Sequence, residues 1–599
     1  MMNCPSRTDE PDEGDGYNQN PSSLSADLTT RADLNGIANA RELKRMASNE
    51  LETEVDGIPD EDGKGGKRDK GEEEVVAARE VGQQSKFTRN GPGMVALEAA
   101  DGGAAGGGGI GNGADASFPI RIFMKIRKGV VTYGKFVGPG FMISVAYIDP
   151  GNYSTDVAAG ATYRFRLLFV VLMSNIFAIF LQSLCIKLGS VSGLNLAEAC
   201  RAFLPRWMNY FLYFMAEGAI IATDIAEVIG TAIAINLLIP QIPLVAGCAL
   251  SIVDVLLILL FYKPSGSMRG LRAFEMFVVI LVLGVVICFC IQLSLIEDTP
   301  IGEVFRGYLP NSAIVESKGL YQACGILGAT VMPHSLYLGS GIVQARLQEY
   351  DIDNEIVPAS IRSDSVNKVQ YFPSLPAINF CLKYSIIELA VSLFTFALFV
   401  NSAILITAGA SLYGTNAEDA DLFGIHRLLS DSIAPVAGTI FALALLLSGI
   451  SAGIVCTIAG QMVSEGALNW TIAPWMRRLI TRSISITPSI IIAGAVGKEG
   501  LSAALNGSQV ALSVVLPFVS APLIYFTCRN KFMTVRTETT AEDVDDDEGD
   551  NTVPRPSPQP NGVKMRNNWI TSTIAVTIWI IITVMNVANL VLLGKGGGA

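Results

Sequence analysis

Apolar residues in this chain gather into long blocks separated by short polar stretches, and the blocks have the length of membrane-crossing helices, about twenty residues or more. Read by hydropathy and length, residues 133–161, 167–191, 207–238, 244–262, 272–296, 317–345, 379–412, 433–465, 476–496, 499–527 and 569–593 form about eleven such segments. Before them lies a polar, charged stretch, residues 1–118, ending in "DGGAAGGGGIGNGAD", which cannot bury enough apolar surface to fold alone and is expected to be a disordered cytosolic tail. Residues 119–528 are expected to be a ten-helix core, with one half at about 133–296 and the other at about 317–527. Residues 529–568 read as a polar cytosolic loop, and residues 569–599 as an eleventh helix with a short C-terminus.

Composition agrees with a membrane protein. Of 599 residues 50% are hydrophobic and only 16% charged, where a soluble domain carries roughly a quarter charged residues; mean hydropathy is +0.42. The formal charge of -12 sits largely in tails and loops such as "EDVDDDEGD", so it marks no acidic binding surface, and nucleic-acid binding has no support. The ten cysteines are scattered without CxxC or zinc-type spacing and read as small buried hydrophobes.

Short-loop charges set the expected orientation. "RIFMKIRKG" precedes the first segment, and basic residues follow the second (Arg201, Arg206), fourth (Lys263, Arg269), sixth (Arg346, Arg362), eighth (Arg477, Arg478) and tenth (Arg529, Lys531, Arg536). The positive-inside rule then puts the N-terminus in the cytosol and, with an odd count, the C-terminus outside. Arg164 and Arg166 fall on the opposite side.

Two segments carry chemistry. In the first, "SVAYIDPGNYST" places Asp149 at mid-segment, followed by Pro150, Gly151 and Asn152. A carboxylate at the bilayer centre costs at least ~3 kcal/mol. Pro150 cannot donate a backbone hydrogen bond and Gly151 permits non-helical angles, so the helix should unwind here. In the sixth, Met332-Pro333-His334 interrupts "YQACGILGATVMPHSLYLGSGIVQ" in the same way. Irregular backbone at membrane depth is tolerated only when buried in protein or lining a watery cavity. Two such breaks, one in each half, predict a five-plus-five inverted repeat with a midplane site, the plan of a secondary transporter. Asp149 and Asn152 offer oxygens, while Met332 offers a soft thioether, unless it only fills the core; a mixed oxygen and sulfur site favours transition-metal dications.

"DPGN" and "MPH", together with "TDIAEVIGTAIAINLL", "AGQMVSEG", "TRSISITPS" and "SQVALSVVLPF", resemble the signatures of the Nramp family of proton-coupled divalent metal transporters over about residues 130–528. The long tail and the long loop after the sixth segment are most similar to the fungal members. The resemblance implies an all-α LeuT-type fold with broken helices 1 and 6. It implies metal ligands at Asp149, Asn152 and Met332, the freed carbonyls of Ala146 and Ala329, and Gln509 when the site is occluded. It also implies a proton path through Asp224, Glu227 and Arg482, although these three also fit a buried ion pair that only orders the bundle. His334 either titrates during transport or gates the path. Ser335, Gly339, Ile450 and Val515 depart from the family pattern. Implied are Mn²⁺ and Fe²⁺ as substrates, with Co²⁺ and Cd²⁺ accepted, moved with protons into the cytosol across a plasma, endosomal or vacuolar membrane by a monomeric unit without cofactor. A LeuT-type amino-acid symporter is the competing reading. No nucleotide loop, catalytic triad or zinc-hydrolase spacing points to an enzyme.

Overall fold

The computed structural model describes residues 138–252, 268–296, 299–357, 371–414, 421–432, 434–469, 474–535 and 562–595. The expected N-terminal tail lies outside them, as does most of the expected loop at 529–568.

The first segment is two helices, α1 (Pro139–Val145) and α2 (Pro150–Tyr163). The second is α3 (Leu168–Ser192); a short capped helix, α4 (Leu196–Phe203), leads to the third, α5 (Arg206–Leu238). α4 starts in a capping box in which Asn195 and Glu198 satisfy each other's backbone. The fourth segment begins with α6 (Leu244–Leu250), the fifth is α7 (Met268–Ser294), and α8 (Ile301–Gly307) lies in the connection to the sixth. The sixth is again divided, into α9 (Ser317–Thr330) and α10 (Pro333–Ile342), followed by α11 (Gln344–Asp353). The seventh runs through α12 (Leu375–Ser392), a π turn at Leu393–Ala397 and α13 (Leu398–Ser411). A short α14 (Leu422–Ser432) precedes α15 (Pro435–Leu468), α16 (Pro474–Ala495), α17 (Lys498–Thr527) and α18 (Trp569–Gly594), the eighth to eleventh segments.

Among the described residues, eight helical spans are long and apolar enough to cross a membrane. The first segment is described only from Gly138 and is divided into two short helices, and the fourth is described only at its start. The ninth contributes a shorter apolar stretch, Leu479–Ala495. This is an integral membrane protein.

Helix neighbours explain why polar residues sit in apolar sequence. The broken helices lie inside: α2 packs on α13, α9, α17 and α5, and α10 on α3 and α15. The α9–α10 segment has most of its apolar window buried in protein, while α18, on the rim, presents most of its surface outward. Small residues set the closest approaches. A Cβ at Gly160 would collide with the Leu405 carbonyl of α13, and one at Gly328 with the Gln509 carbonyl of α17.

Charges that looked misplaced find partners. Arg164 pairs with Glu303 at 2.6 Å and Arg166 lies 3.8 Å from Glu316, so the two basic residues on the unexpected side are offset by acids in the connection between the fifth and sixth segments. Arg346, read from sequence as a loop charge, is instead buried against Glu275 of α7 at 2.6 Å.

Candidate metal site

Each break is built as a helix start. Asp149 is the N-cap of α2, accepting a hydrogen bond from the Asn152 backbone at 2.9 Å, and Pro150 takes the first helical position, where its missing N–H is harmless. Met332 is the N-cap of α10 with Pro333 in the same role, and the Met332 carbonyl accepts from Ser335 N at 3.2 Å and Ser335 Oγ at 2.7 Å.

The prolines act equally on what precedes them. A helical carbonyl accepts from the N–H four residues on; for Ala146 that residue is Pro150, and for Ala329 it is Pro333. Both carbonyls therefore lose their helical donor by sequence alone. α1 ends in tight turns, with Ala146, Tyr147 and Ile148 donating three residues back at 3.0 to 3.1 Å. Two carbonyls near the break are taken by neighbouring helices: Tyr147 O by Asn401 Nδ2 at 3.1 Å, and Ile148 O by Ser448 Oγ at 2.7 Å. Asn152 spans the two broken segments. Its Nδ2 donates to Asp149 Oδ1 at 2.7 Å and to the Ala329 carbonyl at 3.0 Å, while Asn401 Nδ2 lies 3.4 Å from its Oδ1.

Gln509 of α17 lies directly against the first break, where a Cβ on Gly151 would collide with its amide. Its Nε2 donates to Ser508 Oγ at 3.0 Å. Asp149, Asn152, Ala329 and Gln509 are thus assembled around one point, with Met332 fully buried at the head of α10. Among the described residues, Asp149 Oδ2 and Gln509 Oε1 have no hydrogen-bond partner. Buried acceptors left unsatisfied here, beside the Ala146 and Ala329 carbonyls that have lost their helical donors, are the kind of group a dehydrated cation requires.

A second polar line runs from the sixth segment to the ninth. His334 Nδ1 lies 3.4 Å from Thr223 Oγ1 on α5. The next residue, Asp224, accepts from Arg482 Nη1 at 3.1 Å and lies 3.3 Å from Ser485 Oγ; Glu227, one turn on, accepts from the same Nη1 at 3.2 Å. All are buried. Asp224, Glu227 and Cys456 also bring three ligand-type atoms within 4.8 Å. Arg482 holds both carboxylates, so the cluster is an ion network rather than a vacant cage.

Several residues went unread in the sequence. Asn401, Ser448 and Asp156 are buried polar groups in apolar runs, the same signal that singled out Asp149. Gln182 on α3 needs the fold to be seen. Its Nε2 donates to Tyr147 Oη at 2.9 Å and lies 3.0 Å from Ser335 Oγ, tying both breaks together. Two family departures meet here: Ser335 is in this network, and a Cβ on Gly339 would collide with Gln182 Oε1.

Comparison with known proteins agrees with the geometry. The profile of the Nramp family, described as natural resistance-associated macrophage protein-like, matches residues 140–543. The chain belongs to the Nramp family and has its LeuT-type fold of two inverted five-helix repeats. It is 52% identical over 507 residues to the manganese transporter SMF1 of Saccharomyces cerevisiae, covering 79% of this chain and 88% of that one. It is 49% identical to the iron transporter SMF3 of the same yeast, covering 78% and 97%. Among solved structures it resembles the Eremococcus coleocola manganese transporter in complex with an aromatic bis-isothiourea compound, with a TM-score of 0.60 at 28% identity, covering 80% of this chain and 87% of that one.

Proposed function

We propose that this protein carries divalent transition-metal ions, Mn²⁺ and Fe²⁺ first, with Co²⁺ and Cd²⁺ also accepted, into the cytosol together with protons. The observation that carries the reading is the convergence of acceptor atoms at the two breaks. Asp149, Asn152, the carbonyls of Ala146 and Ala329, and Gln509 replace hydration water, and the Met332 thioether selects soft dications over Ca²⁺ and Mg²⁺. The names of the relatives, manganese and iron transporters, support the choice of ions. Asp224, Glu227 and Arg482 form the proton route, with His334 at its head beside the metal. The N-terminus faces the cytosol, while α18 leaves the C-terminus outside. The transport unit is a monomer without a resident cofactor, in the plasma, endosomal or vacuolar membrane.

A symporter for amino-acid anions would need free helix N-termini at the breaks. Here Asp149 occupies that of α2, which argues against it.

Mn²⁺ uptake into proteoliposomes at outside pH 5.5 and 7.5 tests the proposal. Native protein is expected to take up Mn²⁺ faster at the lower pH, and Asp149→Ala to fall to the background of empty vesicles. Native protein that moves no Mn²⁺ at either pH, or an Asp149→Ala variant that matches it, sinks the reading.

A further inference from the structure

α2 carries a second carboxylate that the site above does not use. Asp156 is seven residues after Asp149, so the two share a helix face about 10.5 Å apart along the axis. It is fully buried, and neither oxygen has a hydrogen-bond partner among the described residues. The stripe holding it faces α13: Asn152, one turn before, lies against Asn401, and Gly160, one turn after, packs on Leu405 and Gly409. Asp156 therefore meets α13 between these contacts, beside Ser402 and Asn401, whose Oδ1 is likewise buried without a partner among the described residues. Tyr308, just after α8, places its hydroxyl next to Ser402 and within electrostatic reach of Asp156. Asp156, Asn401 and Ser402 are buried, Tyr308 is half-buried beside Ser402, and among the described residues no basic side chain pairs with Asp156. This stretch of α2 lies beyond the break, on the side of Arg164, which pairs with Glu303 of α8.

We infer that Asp156, with Ser402, Asn401 and Tyr308, forms an outer cation station, which a partly hydrated dication occupies before it reaches Asp149. The inference rests on the transport reading and deepens it. The station offers only hard oxygens, so it admits Mn²⁺, Mg²⁺ and Ca²⁺ alike, and discrimination falls to the Met332 thioether further in. An uncompensated carboxylate would otherwise be a pure cost at this depth. Spaced along one helix face, the two carboxylates form steps that the ion takes in turn. In the orientation proposed above, the outer step faces the extracytosolic side.

The test uses the full chain, purified and reconstituted in nanodiscs, with Mn²⁺ binding counted by the loss of the free-ion electron paramagnetic resonance signal. The native chain is expected to bind two Mn²⁺, one tightly and one weakly, with Mg²⁺ displacing only the weak one. Asp149→Ala keeps the weak event. Asp156→Asn removes it, keeps the tight one, and lowers uptake mainly through KM, raised roughly tenfold for the loss of one charged ligand. If Asp156→Asn fails to fold, Ser402→Ala replaces it, with the weak event weakened and KM raised in the same sense. Two binding events that persist in Asp156→Asn, or a KM unchanged in whichever variant folds, overturn the station. A native chain that binds a single Mn²⁺, lost in Asp149→Ala, also overturns it and leaves the transport reading standing. A native chain that binds none overturns both.

Discussion

In the proposed site single residues set what can be held: Asp149 would bring charge and Met332 softness, and these can be separated by experiment. Met332→Ala removes the sulfur and keeps the oxygens, so Ca²⁺ in excess is expected to inhibit Mn²⁺ uptake in the variant far more than in native protein. Equal inhibition in both would make Met332 a core residue. Gly151 answers a different constraint, space. A methyl there meets the Gln509 amide, and Gly151→Ala is expected to cut uptake sharply, with partial recovery when Gln509 is shortened to alanine in the same chain. The double variant separates a steric collision from a general failure of the break. Asp149, Asn152, Met332 and His334 were legible because a polar, ligating or helix-breaking residue in an apolar run is costly and asks for a reason. Asp156 and Asn401 obey the same rule, yet no proline marks them; their neighbours across the helix interface give them meaning.

At the scale of the element, the breaks are helix starts as much as helix ends. A proline four residues after an alanine frees that alanine's carbonyl, and it does so twice, at Ala146 and Ala329. Pro333→Ala restores an N–H that can close onto the Ala329 carbonyl. Uptake is then expected to fall on the order of tenfold, the worth of one competing hydrogen bond, while the folded fraction in detergent stays native. Undiminished uptake in Pro333→Ala would mean that the Ala329 carbonyl is no ligand. The other end of α1 is held as deliberately. Glu388 of α12 accepts from the backbone of Gly138 at 2.8 Å and of Gly140 at 3.0 Å, both among the unsatisfied donors of a helix N-terminus. Glu388→Ala is expected to release α1 and expose its inner face, read as faster thiol labelling of a cysteine placed at Ser144. No such cap can be read in the sequence, because the partner is about two hundred and fifty residues away.

At the scale of the molecule, buried ion pairs among the described residues join distant segments at two places. Arg346 and Glu275 tie α11 to α7, and Arg482 ties α16 to the two carboxylates of α5. Removing one partner of a buried pair leaves the other desolvated, at a cost of about 3–5 kcal/mol. Arg482→Ala is therefore expected to lower the unfolding temperature in detergent, and Asp224→Asn with Glu227→Gln in the same chain to restore part of it. If the network also carries protons, the neutralised chain that regains stability still shows uptake that no longer depends on outside pH. Uptake that keeps its native pH dependence would leave the three residues a structural tie alone.

The sequence by itself determined the membrane character, the positions of the breaks and the chemical types gathered there. These follow from local physics: apolar blocks long enough to span a bilayer, prolines that withhold an N–H, and a carboxylate and a thioether where neither is cheap. Even the two freed carbonyls follow from counting four residues back from a proline. What only the tertiary structure decided is which distant groups complete each place. Asn401 and Ser448 take up the carbonyls that would otherwise compete, Gln509 comes against Gly151, Gln182 links the breaks, and Glu388 caps α1. The physical reason is that each of these contacts joins residues far apart in the chain, and their geometry is set by helix packing around small residues, which hydropathy does not encode.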